Sequence, residues 1–150
     1  MYKIVQAVED PQIEAVKRLF VVYRSTVDND LCFIEFEREL EGLPGDYAPP
    51  RGRLLLTSVD GEPAGCIALA PVDDKTCEMR RLFVRTKFRG EGIGRSLVIE
   101  VIHAARKIGY EEIWLETLES MTEAIELYNS LGFEITAVEP GAVAMKLSLT

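Results

Sequence analysis

The segment that most restricts the fold is "TCEMRRLFVRTKFRGEGIGRSLVIEVIHAARKIGYEEIWLETL", residues 76 to 118. An apolar, strand-like run leads into a turn holding Gly90, Gly92 and Gly94. A long amphipathic stretch follows, and a second short apolar run closes the segment. Ile93, Leu97, Val98, Val101, Ile102, Ala105 and Ile108 recur at helical spacing, which puts them on one buried face. Gly109 stands where a helix C-cap glycine is expected. Strand, helix and returning strand form a right-handed β-α-β unit, so part of the sheet must be parallel.

The rest of the chain supplies antiparallel partners. "YKIVQAV" alternates as a first strand. Asp10 followed by Pro11 offers an N-cap for an amphipathic helix over residues 11 to 24. "CFIEFERELEGL" reads as a second, shorter helix ending near Gly42, and residues 44 to 52, dense in proline and glycine, read as a loop. "RLLLTSV" and "AGCIALA" are strands joined through Asp60-Gly61, a strong hairpin signal. "TCEMRRLFV" follows closely enough to make a further hairpin. "SMTE", residues 120 to 123, has capping-box spacing, with Ser120 as N-cap and Glu123 three residues on. Its helix runs to about Leu131 before Gly132, and "FEITAV" and "AVAMKLSL" close the chain as a hairpin. The order β-α-α-β-β-β-α-β-α-β-β, with no repeat or linker, predicts one domain over residues 1–150, an α/β fold with a mixed sheet flanked by helices.

Composition narrows the function classes. A net charge of -8 argues against a nucleic-acid partner, which needs a basic face for phosphates. No run approaches the ~18 apolar residues that span a bilayer, and the start shows no signal-peptide pattern. Neither a membrane partner nor export is expected, and the cytoplasm is the expected location. Cys32, Cys66 and Cys77 are scattered, without CxxC spacing, and His103 is the single histidine, so no metal site is expected. Cys66, Cys77 and Trp114 read as core residues, and His103 as a packed or surface residue.

The glycine turn carries the chemistry. Free N–H groups of a first helical turn, with the helix dipole, make an anion site. Glycines let a phosphate approach without meeting a Cβ, and Arg89 and Arg95 flank the turn. A pyrophosphate is the expected guest. The P-loop pattern fails, because Arg95 precedes Ser96 where lysine is required. The dinucleotide pattern fails at its third glycine, where Arg95 stands, although Glu116 lies about twenty residues on, as a ribose ligand would.

The remaining pattern, Arg89-x-x-Gly92-x-Gly94 after "LFV" on a strand, resembles motif A of the GCN5-related N-acetyltransferase (GNAT) superfamily. "AIELYNSLGF", residues 124 to 133, resembles that family's helix-end signature, and the element order matches along essentially the whole chain. One position departs from the pattern. Many members carry Asn where this chain has Met121, which removes support for a cofactor contact there.

The resemblance implies acetyl-CoA as cosubstrate, held by Phe83, Val84, Arg89, Gly90, Gly92, Ile93, Gly94, Arg95 and Ser96. Its pantetheine arm is expected to hydrogen-bond to backbone near Phe83 and Val84, between strands that splay apart, as an added strand would. The implied reaction is direct attack by a primary amine of a small molecule or peptide. An amine with a pKa near ~10 must lose a proton before attack. Tyr128 occupies the position of the family's usual general acid, and a packed core aromatic is the alternative for it. Glu78, six residues before Val84, matches the base of the histone-acetyltransferase branch; it could equally be a strand carboxylate paired with Arg80 or Arg81. Glu35, Glu37, Glu116 and a water chain are rival bases. The acceptor is expected to be chosen by residues 24 to 52 and the turn at 137 to 142, and the resemblance leaves room for a homodimer. A non-catalytic acyl-CoA sensor of the same fold is the competing function, and Tyr128 speaks for catalysis.

Overall fold

The computed structural model describes residues 2–27 and 35–150. Seven strands form one sheet: β1 (Tyr2–Gln6), β2 (Arg53–Val59), β3 (Glu62–Pro71), β4 (Thr76–Val84), β5 (Glu112–Leu118), β6 (Glu134–Glu139) and β7 (Ala142–Ser148). Their order is β1-β2-β3-β4-β5-β7-β6. Every pairing is antiparallel except β4 with β5, the parallel pair that the β-α-β segment demanded.

Four helices pack on the sheet: α1 (Asp10–Thr26), α2 (Phe36–Glu41), α3 (Ile93–Ile108) and α4 (Thr122–Ser130). On one face lies the α3 stripe, where Leu97, Val98, Val101 and Ala105 are fully buried with Ile67, Leu69, Ile113 and Met145. Each large aliphatic side chain buried there contributes about 1.5–3 kcal/mol of transfer free energy. On the other face Val16, Leu19 and Phe20 of α1 cover Leu54, Leu56, Ala68 and Ala70.

Three local expectations change. Helix α1 starts at Asp10 with Glu9 as N-cap, because the Gln12 side chain accepts hydrogen bonds from the backbone N–H groups of Val8 and Glu9 at 3.0 and 3.1 Å. Helix α4 is capped by Met121 rather than Ser120. A turn closed by the Met121 N–H on the Leu118 carbonyl at 2.9 Å leaves Ser120 one residue too early. Trp114 is 41% exposed, not core, since the layer over its face of the sheet is built on β2 and β3. Its indole N–H donates to Glu112 instead. The second helix keeps its expected end at Gly42, while Cys32, Phe33 and Ile34 lie outside the described residues. His103 is exposed.

The sheet opens in its middle. β4 and β5 pair only at Thr76–Glu112, Cys77–Ile113 and Glu78–Trp114. Beyond that point β4 runs on to Val84 and β5 to Leu118 without bonding to each other. The cause lies within β4. Its register against β3 shifts between Cys66 and Ala68, and Arg81 there takes φ 59°. An extra residue in one strand raises the local twist and bends the strand away from its neighbour.

Buried neutral acids make stability fall in alkali. Burial raises the Cys66 thiol, and it pushes the Cys77 thiol up to about 12. Burial, then the Glu39 carboxylate, push the Tyr47 phenol up to about 12. In the unfolded chain a thiol ionises near ~8.5 and a phenol near ~10. The folded state therefore keeps protons that the unfolded state releases, and stability is full below ~8.5 and declines as pH climbs toward ~12. Urea midpoints across that range should fall steadily, and Cys77→Ala should flatten the first part of the decline. A level wild-type profile would contradict the neutral, buried thiols.

Candidate active site

A cavity of about 1050 Å³ occupies the gap between β4 and β5. The glycine turn and α4 wall one side, and the C-terminal end of α1 the other. Phe83, Val84, Arg89, Gly90, Gly92, Ile93 and Gly94 all line it, as do Glu78 and Tyr128.

The turn has the form that an anion site requires. Gly90 and Gly92 have φ 84° and 80°, which L side chains rarely adopt, and nothing lies within 4 Å of where either Cβ would stand. Gly92 is the N-cap of α3, and no side chain caps the helix. The amides of Ile93, Gly94 and Arg95, in its first turn, have no intrahelical acceptor. Ser96 already donates its N–H to the Gly92 carbonyl at 3.1 Å. Two expected ligands turn elsewhere: the Arg95 guanidinium donates to Ser130 Oγ at 3.1 Å, and the Ser96 hydroxyl bonds to that of Tyr2. Arg89 lines the cavity while its Nε–H donates to the Val84 carbonyl at 3.1 Å.

Tyr128 sits on α4 with its ring buried and tilted against Phe133, centroids 5.8 Å apart. Its hydroxyl has no hydrogen-bond partner among the described residues. Yet Gln6 Nε2 is the one buried side-chain polar atom there without a partner, so the Tyr128 oxygen keeps contact with the cavity. Burial, then the nearby Tyr23 hydroxyl, raise this phenol well above its ordinary value. It holds its proton at every working pH.

Glu78 stands where the strands part, opposite both Ala70 and Trp114, and is ion-paired with Arg80. Among the rival bases Glu116 lines the cavity; Glu35 and Glu37 do not, and Glu35 pairs with Arg38 at 3.3 Å. Tyr23 and Glu39 are among the lining residues that went unnoticed in the sequence. Tyr23 of α1 stacks on Phe83 at 5.3 Å, and its one available signal was a tyrosine where the buried stripe could have used phenylalanine. Glu39 of α2 accepts from Arg81 Nε and Nη2 at 3.0 and 2.7 Å and from the Tyr47 hydroxyl at 3.1 Å. A single helical glutamate gives no sign of so distant a partner. Thr26, Val27 and Gly141 meet in an adjoining recess, so both acceptor segments expected from the sequence contribute to this side of the molecule.

An open sheet with a phosphate-type turn at the head of its crossover helix defines an acyl-CoA N-acyltransferase architecture. The model of the "Acetyltransferase (GNAT) family" matches residues 13–133. An uncharacterized N-acetyltransferase of Schizosaccharomyces pombe is 34% identical over 97% of this chain and 94% of its own. A GNAT-family acetyltransferase from Staphylococcus aureus superposes with TM-score 0.84 over all of both chains, at 17% identity. The PaiA N-acetyltransferase of Thermoplasma acidophilum, solved in complex with coenzyme A, superposes with TM-score 0.79 over 99% of both chains, at 16% identity. The chain belongs to the acetyltransferase (GNAT) family. Its expected fold and its reading as an acetyl-CoA-dependent N-acetyltransferase stand. Among the described residues no helix is long and apolar enough to cross a membrane.

Proposed function

We propose that the whole chain is one catalytic domain that acetylates a primary amine by direct attack, with Tyr128 as general acid and Glu78 as base. The observation that carries this is the unpartnered Tyr128 hydroxyl in the same cavity as the glycine turn. The cavity fits acetyl-CoA. The space over Gly90 and Gly92 and the uncapped amides of α3 suit its pyrophosphate. The unpaired edge of β4 near Phe83 and Val84 offers backbone groups to an extended arm. Bound there, acetyl-CoA supplies an activated acetyl thioester.

The protein's part is to move two protons. Glu78 takes one from the acceptor's ammonium, freeing the nitrogen lone pair. Tyr128 gives one to the departing sulfur, and regains it from solvent. An N–C bond forms as the C–S bond breaks, and the nitrogen's second proton passes to solvent, offsetting the one Tyr128 regains, so that an amide and a thiol are left. The acceptor is a primary amine of a small molecule or peptide, which reaches Glu78 at the end of the cavity lined by Tyr23 and Thr26 of α1, Glu39 of α2 and residues of β4. The reaction is placed in the cytoplasm, with acetyl-CoA drawn from the same compartment.

Glu78→Gln tests the base. The isosteric amide keeps the shape of the strand but cannot take a proton. kcat/KM should drop most at low pH and partly recover as pH rises, since more acceptor is then already neutral. Superimposable pH–rate profiles for wild type and variant would leave Glu78 a strand carboxylate.

A further inference from the structure

We infer that Arg80 reads an anionic group on the acceptor, so that the substrate class is an amine carrying a carboxylate, as a free amino acid does. This rests on the acetyltransferase reading above and names the acceptor for the same cavity.

Three arginines line the cavity among the described residues. Arg81 is committed: both arms of its fork hold Glu39, and the two side chains are only 11% and 21% exposed. Arg89 belongs to the glycine turn, with its Nε–H on the Val84 carbonyl. Arg80 lies at the other end, beside the proposed base. Its Nε–H donates to Glu78, and the Arg80 and Glu78 side chains are 41% and 30% exposed. A guanidinium carries five N–H donors, so the bond to Glu78 leaves the fork with donors to spare.

Glu78 and Arg80 are two residues apart on one strand, and so project from the same face of β4 about 7 Å apart along the backbone. Their partners across the sheet are Ala70 and Ala68, whose side chains are too small to cover them. The cavity thus presents one carboxylate and one guanidinium side by side. A lone ammonium matches half of that pattern; an ammonium with a carboxylate a few bonds away matches both halves. A partly exposed ion pair is held weakly, and a planar guanidinium prefers a carboxylate that it can meet with two parallel bonds. The acceptor's carboxylate takes Arg80, and Glu78 is left to face the ammonium.

The test compares α-amino acids with their α-amides and with the corresponding decarboxylated amines, by thiol release from acetyl-CoA. Wild type should favour the carboxylate by on the order of 10-fold or more in kcat/KM, the scale of one charged hydrogen-bonding contact. Arg80→Gln should erase that preference by lowering the amino-acid rate more than the amide and amine rates, and Arg80→Lys should restore part of it. Calorimetry with N-acetyl amino acids and their amides, in the presence of CoA, reads the same contact without turnover. Wild type should bind the acid more tightly, and Arg80→Gln should bind both alike. Equal wild-type rates with acid and amide would overturn the proposal and leave the acetyltransferase reading intact. An equal loss on both acceptors in Arg80→Gln would also overturn it, by reducing Arg80 to a residue that positions Glu78. Failure of every amine to release thiol would remove both readings.

Discussion

Gly92→Glu is expected to abolish acetyl-CoA binding while the fold survives. Gly92 caps α3 at φ 80°, with open space where its Cβ would point. A glutamate there sets a carboxylate against the amides that would receive the pyrophosphate, and reverses the field of the helix terminus. The left-handed backbone adds only about 1–2 kcal/mol of strain for a residue with a Cβ, which a chain with two full core clusters can absorb. Gly94→Ala is the control. Its methyl group would meet Val84 Cγ2 at 3.7 Å and Leu127 Cδ2 at 3.9 Å, ordinary contacts in an ordinary helical residue. Calorimetry should therefore show no acetyl-CoA binding for Gly92→Glu and retained binding for Gly94→Ala, with native circular dichroism for both. Wild-type affinity in Gly92→Glu would remove the glycine turn from the cofactor site.

Tyr128→Phe is expected to lower kcat by on the order of 10²-fold with little change in acetyl-CoA affinity. The substitution keeps the ring against Phe133 and deletes only a hydroxyl that bonds to no described residue. No protein hydrogen bond is lost, so thermal stability should hold or rise slightly. Steady-state rates and a melting curve on the same preparation separate the roles. Unchanged kcat with reduced stability would mark Tyr128 as a packing residue.

What the sequence revealed was whatever is local or periodic. The α3 stripe from Ile93 to Ala105 and the Asp60-Gly61 hairpin each follow from a few neighbouring residues, and each formed as read. The parallel β4–β5 pair followed from a helix between two apolar runs. What stayed hidden depends on contacts between distant segments. No glycine or proline marks the irregularity at Arg81; the register of β3 and a guanidinium anchored on Glu39 of α2 accompany it. Ser120 had the capping pattern and lost the cap to Met121, because the Leu118–Met121 turn sets where the helix can begin. Trp114 has the composition of a core residue and the position of a surface one. Strand alternation sends it to a face whose covering helices lie over other strands. The candidate site divides in the same way. Its cofactor end is a contiguous turn and was legible, whereas its acceptor end is assembled from α1, α2 and β4.

Direct attack by the amine leaves no acyl-enzyme stage. Isotopically labelled acetyl-CoA, followed by mass spectrometry of both protein and small molecules, distinguishes the two routes. With no amine present the protein mass should stay unchanged. With an amino-acid acceptor, labelled N-acetyl product and free CoA should appear in equal amounts. Labelled acetyl on the protein as a kinetically competent species, or tight acetyl-CoA binding with no product from any amine, would contradict the account.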